Sequence, residues 1–238
     1  MENLAKLITS VATLVWPIVI GTFIFYIRAE AKSAVGQLSD LFRRIKRGKF
    51  AGFEFTLDEI ADEVSSDGKG VITAHQVNLA SQFEFSSMSD GAEIYIRELD
   101  RLCLEYDNIR RVMPPSSDRT KEQTKILVKM RVLAPATSSR IDVYKSSGST
   151  GSKLAAVAMM QMKPQFADLP WLLERFKDNV PFVFYHAALA LCNVANDDLK
   201  QYEVLATAHK AREIVMAASA RPDQDTVDVL DSIIGTNN

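Results

Sequence analysis

Cysteine is scarce in this chain, with only Cys103 and Cys192 present. They stand far apart and form no CxxC or other metal spacing, which fits free thiols in a reducing compartment. Net charge is lacking too. Lys and Arg number 28 against 30 Asp and Glu, leaving a formal charge of −2. With a pI of about 6.0, a dedicated nucleic-acid binder is excluded as the leading class. Histidines number three. His75 falls in a polar stretch, and His186 sits among apolar residues, where a satisfied core imidazole is the leading reading. His209 and Glu213 share a helix face but have no third ligand, so they read as a surface pair. No Ser/His/Asp or Cys/His arrangement is marked by a local motif, and Asp197-Asp198 reads as a helix cap. "GSTGSK" imitates a phosphate loop, but Ser152 separates Gly151 from Lys153 and no apolar strand leads in. It reads as a solvated loop with a helix cap. No catalytic, cofactor-binding or metal-ligating residue is expected, and the chain does not read as an enzyme.

What the chain does have is one long uncharged run, Leu7 to Ile27, "LITSVATLVWPIVIGTFIFYI". At about 1.5 Å per residue, such a helix covers roughly 30 Å, the thickness of a bilayer's apolar core. A cleavable signal peptide would be shorter and end in small residues, whereas "YIRAEAK" continues in helix formers. A single transmembrane helix over 7–27 is therefore expected. Lys6 and Glu2 precede it. Arg28, Lys32, Arg43, Arg44, Lys46, Arg47 and Lys49 follow. The positive-inside rule puts residues 1–6 outside and the bulk of the chain in the cytoplasm. In "LFRRIKRGKF", the bases Arg43, Arg44, Lys46, Arg47 and Lys49 read as contacts to anionic lipid headgroups. A solvated helix face is the alternative.

Steps of four and three from Ser10 run through Pro17, Gly21, Arg28, Ala31, Val35, Leu38, Phe42 and Ile45. Small and polar residues at Ser10, Pro17 and Gly21 let helices approach closely within lipid. Val35, Leu38, Phe42 and Ile45 supply the apolar seam of a short parallel coiled coil. The stripe predicts self-association in register, or else docking of the segment on its own domain. Pro17 removes a backbone donor near mid-membrane, which kinks the helix or gives a pore-lining helix a flexible point.

The remainder is expected to be mainly α. Hydrophobic residues make up 47% and charged residues 24%, the balance of a globular protein. Phe53, Phe55 and Leu57 alternate with Glu54 and Thr56, which predicts at most one short strand near 53–57. Thr56 and Glu59 have capping-box spacing, so a short helix should follow. Residues 28–64 form a juxtamembrane unit, and 65–91, rich in Ser, Gly and Asp, reads as a linker. Residues 92–238 should be a helical domain. Tyr95, Leu99, Leu102, Tyr106, Ile109 and Met113 define a first amphipathic helix stopped by Pro114 and Pro115. Asp118 is expected to cap the second and Asp168 a later one, with Asn179 and Pro181 opening the next. A shift of 32 residues aligns "LAAVAM" (154–159) with "HAALAL" (186–191), the pattern of stacked HEAT or TPR helix pairs.

The segment "LEYDNIRRVMPPSSDRTKEQTKILVKMRVLA", with "SKLAAVAMMQMKPQFADLPWLLERFKDNVPFVFYHAALAL", resembles a poorly characterised bacterial helical module. That module is found at the C-terminus of proteins with differing membrane-anchor or effector domains. The resemblance rests on Glu105-Tyr106, Ile109-Arg110, Met113-Pro114, Arg119-Thr120, Met130-Arg131, Trp171-Leu172, Arg175, Pro181-Phe182 and Tyr185-His186-Ala187. Phe184 replaces the module's usual Gly. The resemblance implies a sensor or regulatory module, often in antiphage defence or stress. The expected function is thus a single-pass inner-membrane effector or sensor whose cytoplasmic domain controls an oligomerising membrane helix that perturbs the membrane. The alternative is a passive membrane-tethered scaffold. Expected partners are the lipid bilayer, a second copy of the chain and a cytoplasmic protein, with no cofactor and no nucleic acid.

Overall fold

The computed structural model describes residues 54, 56–63, 72–178, 180–195, 201–218 and 223–235. The apolar run 7–27, the seam residues Ser10, Pro17, Gly21, Val35, Leu38, Phe42 and Ile45, and the bases Arg43, Arg44, Lys46, Arg47 and Lys49 lie outside these. So do the expected caps Asn179, Asp197 and Asp198. Among the described residues no helix is long and apolar enough to cross a membrane. The chain divides after Phe55, and every described residue except Glu54 belongs to the unit beginning at Thr56.

That unit is mainly helical, and no strand occurs among the described residues. The short strand expected near 53–57 is corrected: Glu54, Thr56 and Leu57 are helical, and 56–63 form α1. Leu57, Ile60 and Ala61 are each 1% exposed. Their spacing of three and four is helical, and it prevails over an alternation that reaches no further than Leu57. The acids of α1 reach the next helices. Asp58 pairs with Lys129, and Asp62 lies 3.0 Å from Lys125.

The linker expected over 65–91 is corrected as well. Ala74–Asp90 form a full helix, α2, begun by Thr73, whose hydroxyl accepts from the Gln76 N–H. Gln76, Leu79 and Ala80 are buried. The serines that give the stretch its linker-like composition bond back into the helix: Ser81 donates to the Val77 carbonyl at 2.9 Å, and Ser87 to that of Glu84 at 2.7 Å. Gly91, at φ 85°, ends it in a conformation that costs glycine least.

Helix α3, Glu93–Val112, buries Tyr95, Leu99, Leu102 and Tyr106, the stripe read from the sequence, and stops before Pro114 and Pro115. Helix α4, Ser117–Thr137, is capped by Ser116 and not by Asp118. Ser116 follows the proline pair in extended conformation, and its hydroxyl accepts from the Arg119 N–H at 3.2 Å. Asp118 falls in the first turn, where its charge suits the helix dipole without capping. The second half of α4 is buried on nearly every side, and α4 packs against α2, α3 and α6.

After the short α5, Ile141–Ser146, come α6, Thr150–Met162, and α7, Leu169–Arg175. Asp168 caps α7 as expected, accepting from the Trp171 N–H at 3.1 Å. Helices α8, Pro181–Ala195, α9, Gln201–Ala218, and α10, Gln224–Gly235, complete the unit. The two aligned stretches fall on α6 and α8, which pack together, and Leu154, Ala155, Ala187, Ala188 and Leu191 have no exposed surface.

Candidate functional site

A cavity of about 300 Å³ opens where α3, α4, α8 and the start of α10 meet. Arg110 comes from the last turns of α3. Arg119, Thr120, Gln123 and Thr124 come from the first turns of α4. The Pro114-Pro115 turn sets these two groups side by side, and Arg119 Nη1 closes it by donating to the Met113 carbonyl at 3.3 Å. Pro181, Phe182, Tyr185 and His186 line the cavity from α8, and Asp223 and Asp225 from the beginning of α10. Asp223 caps α10: its Oδ2 accepts from the Thr226 N–H at 3.2 Å and also from the Thr226 hydroxyl.

The aromatic wall is continuous. The Phe182 ring lies 6.0 Å from that of Tyr106 and 4.5 Å from the His186 imidazole, which stands 5.0 Å from Tyr185. Burial pushes the Tyr106 phenol up to about 12, opposed by nearby Arg110 and Arg119. Burial also raises the Tyr185 phenol, where Asp225 and Asp223 act in the same direction and Arg131 in the opposite one. The cavity lining carries both charges, Arg110 and Arg119 from α3 and α4 and Asp223 and Asp225 from the start of α10.

Several donors here are unused. Gln123 is 2% exposed, yet its Nε2 has no partner, and neither does the buried Arg119 Nε. A buried donor without an acceptor costs free energy that folding must offset elsewhere.

Beneath the cavity lies a polar network in the core. Arg131 Nε donates to Gln161 Oε1 at 2.7 Å, and Arg131 Nη2 lies 3.4 Å from His186 Nδ1. Gln161 Nε2 donates to the His186 carbonyl at 2.7 Å, and Asn193 Nδ2 to the Gln161 carbonyl at 3.0 Å. Burial, with Arg131 beside it, holds His186 well below the ordinary histidine range. The imidazole is neutral, with Nδ1 facing the guanidinium as acceptor. The sequence reading of His186 as a core imidazole agrees with this, and the residue also forms part of the cavity wall.

The other sequence candidates lie elsewhere. His75 is on α2 and bonds Glu63 across 3.1 Å at the surface. In the phosphate-loop imitation, Ser149 caps α6 and Lys153 pairs with Asp178 at 3.0 Å. Gly151 sits where α6 crosses α3, and its N–H donates to Asp107 at 2.8 Å. Of the resemblance residues, Arg110, Arg119, Thr120, Pro181, Phe182, Tyr185 and His186 converge on the cavity. Arg175 instead stacks over Trp171 at 4.2 Å. Gln123, Asp223 and Asp225 were not anticipated; each looks like an ordinary helix-surface or cap residue in its own local window. Among the described residues no three His, Cys, Asp or Glu side chains converge as a metal site would require. No family model matches the chain, and no curated protein and no solved structure gives a significant match to it.

Proposed function

We propose that this chain is a single-pass inner-membrane sensor whose helical domain reads a small ligand on the cytoplasmic side and passes the outcome to a membrane helix formed by residues 7–27. The observation that carries this reading is the cavity between α3, α4, α8 and α10, walled by unused buried donors such as Gln123 Nε2. A passive tether gains nothing from donors held out of water and unpaired, whereas a receptor recovers their cost when it binds. The uncharged run, the bases after it and the seam from Ser10 to Ile45 support an anchor that self-associates and transmits a rearrangement to the bilayer. The burial of small residues at the α6–α8 contact supports a repeat-like stack. The module that the sequence resembles supports a setting in antiphage defence or stress. Expression of the intact chain should depolarise cells under the activating condition, read with a potential-sensitive dye. Replacing residues 7–27 by a poly-Leu span should abolish that response while leaving the protein in the membrane. A retained response would sink the effector reading.

The scaffold reading has one observation in its favour. Phe85 and Met88, three residues apart on α2, are 76% and 82% exposed. A pair of apolar side chains on one helix face is the minimum anchor for a protein partner. The poly-Leu exchange separates the two, because a scaffold keeps its function when only the span is replaced.

A further inference from the structure

We infer that the cavity between α3, α4, α8 and α10 binds a nucleoside monophosphate, with the phosphate at Arg110 and Arg119 and the base stacked on the wall formed by Phe182 and Tyr185. The inference rests on the sensor reading above and names the class of ligand.

Neither arginine has a carboxylate partner among the described residues, although carboxylates are near. Asp223 and Asp225 line the same cavity. Two guanidinium groups without a carboxylate partner suit a phosphate dianion, which such groups bind through paired donors. Gln123 Nε2 and Arg119 Nε, both buried without a partner, add neutral and charged donors in the same region. Phe182 and Tyr185 line the same cavity, and the face of an aromatic ring is a surface on which a base can stack. The carboxylates accept hydrogen bonds and so favour the N–H or hydroxyl donors of a base or sugar. An anion, a ring and a set of donors together describe a nucleotide. A bare sugar phosphate would leave the aromatic wall unused, and a nucleoside would leave the arginines unused. The cavity volume of about 300 Å³ lies at the lower edge of small-molecule sites, roughly 300–1,000 Å³.

The test uses the full chain in detergent micelles and equilibrium dialysis against AMP, GMP, CMP and UMP, with the matching nucleosides, inorganic phosphate and a dinucleotide as controls. At least one monophosphate should bind, and its nucleoside, phosphate alone and the dinucleotide should each bind about 100-fold more weakly or not at all. Gln123→Met should weaken binding about tenfold without lowering the unfolding temperature, because an apolar group of similar shape replaces an unpaired donor. Arg110→Gln, at a half-buried position, should weaken it at least as much, and it keeps the test alive if the Gln123 variant misfolds. Failure of every monophosphate at millimolar concentration would overturn the inference. So would phosphate alone binding as tightly as the nucleotide, or undiminished binding by both variants. None of those results bears on the depolarisation assay, which tests the sensor reading separately.

Discussion

A Cβ added at Gly151 would lie 2.1 Å from the Cys103 carbonyl oxygen, and backbone cannot step aside as a side chain can. Gly151→Ala should therefore cost about 3 kcal/mol of stability in urea unfolding, from forced separation of α3 and α6. Gly148→Ala, with nothing within 4 Å, should change it by less than about 0.5 kcal/mol. His186 gives a second prediction. Burial and Arg131 depress its folded proton affinity, so the unfolded chain binds the proton better. Stability contributed by the neutral ring is complete above the unfolded value of about 6.5 and is lost as pH falls below it, by up to about 1.4 kcal/mol per pH unit. The unfolding midpoint should drop between pH 6.5 and 5 and flatten in His186→Gln. An unchanged slope in the variant would assign the effect to other groups. The apolar neighbours of His186 made its burial legible in the sequence. The role of Gly151 was not legible, because its partner Cys103 lies on another helix, outside any local window.

Helix stops and starts were the most legible features at the scale of elements. Proline pairs, cap residues and 3.6-residue periodicity act locally, so a sequence window contains their physics. Asp168 illustrates this. It caps α7 through the Trp171 N–H and also pairs with Lys145 at 2.7 Å. Asp168→Asn keeps the cap and should lose little, whereas Asp168→Ala should lose about 1 kcal/mol, both measured by denaturant unfolding. Equal losses would show that the ion pair matters more than the cap. Helix α2 was illegible for the opposite reason. Its serines are poor helix formers, and the helix forms because α4 offers Gln76, Leu79 and Ala80 a surface to cover. Tertiary packing overrides composition there. The expected strand near 53–57 failed in the same way, since Leu57, Ile60 and Ala61 bury as a helical face.

For the whole molecule, the mainly helical class was legible from periodicity alone, while the cavity was not. Its walls come from four helices, and the neighbouring pairs Arg119-Thr120, Pro181-Phe182 and Tyr185-His186 carry no local sign of the other helices they face. The proposed membrane arrangement gives two further expectations. The full chain should stay with vesicles in alkaline carbonate, and deletion of residues 7–27 should release it; release of the intact chain would remove the anchor. Val35→Cys and Leu38→Cys should crosslink between copies in native membranes. The background should be low: burial pushes the Cys103 thiol up to about 12 and raises that of Cys192, so both stay protonated and unreactive at neutral pH.

Helix α4 touches both ends of this scheme. Its early turns carry Arg119 and Gln123 at the cavity, and one turn on, Lys125 and Lys129 grip Asp62 and Asp58 of α1. Its later turns are enclosed by core and have no room to bend. The helix that lines the cavity is thus also the one that holds α1.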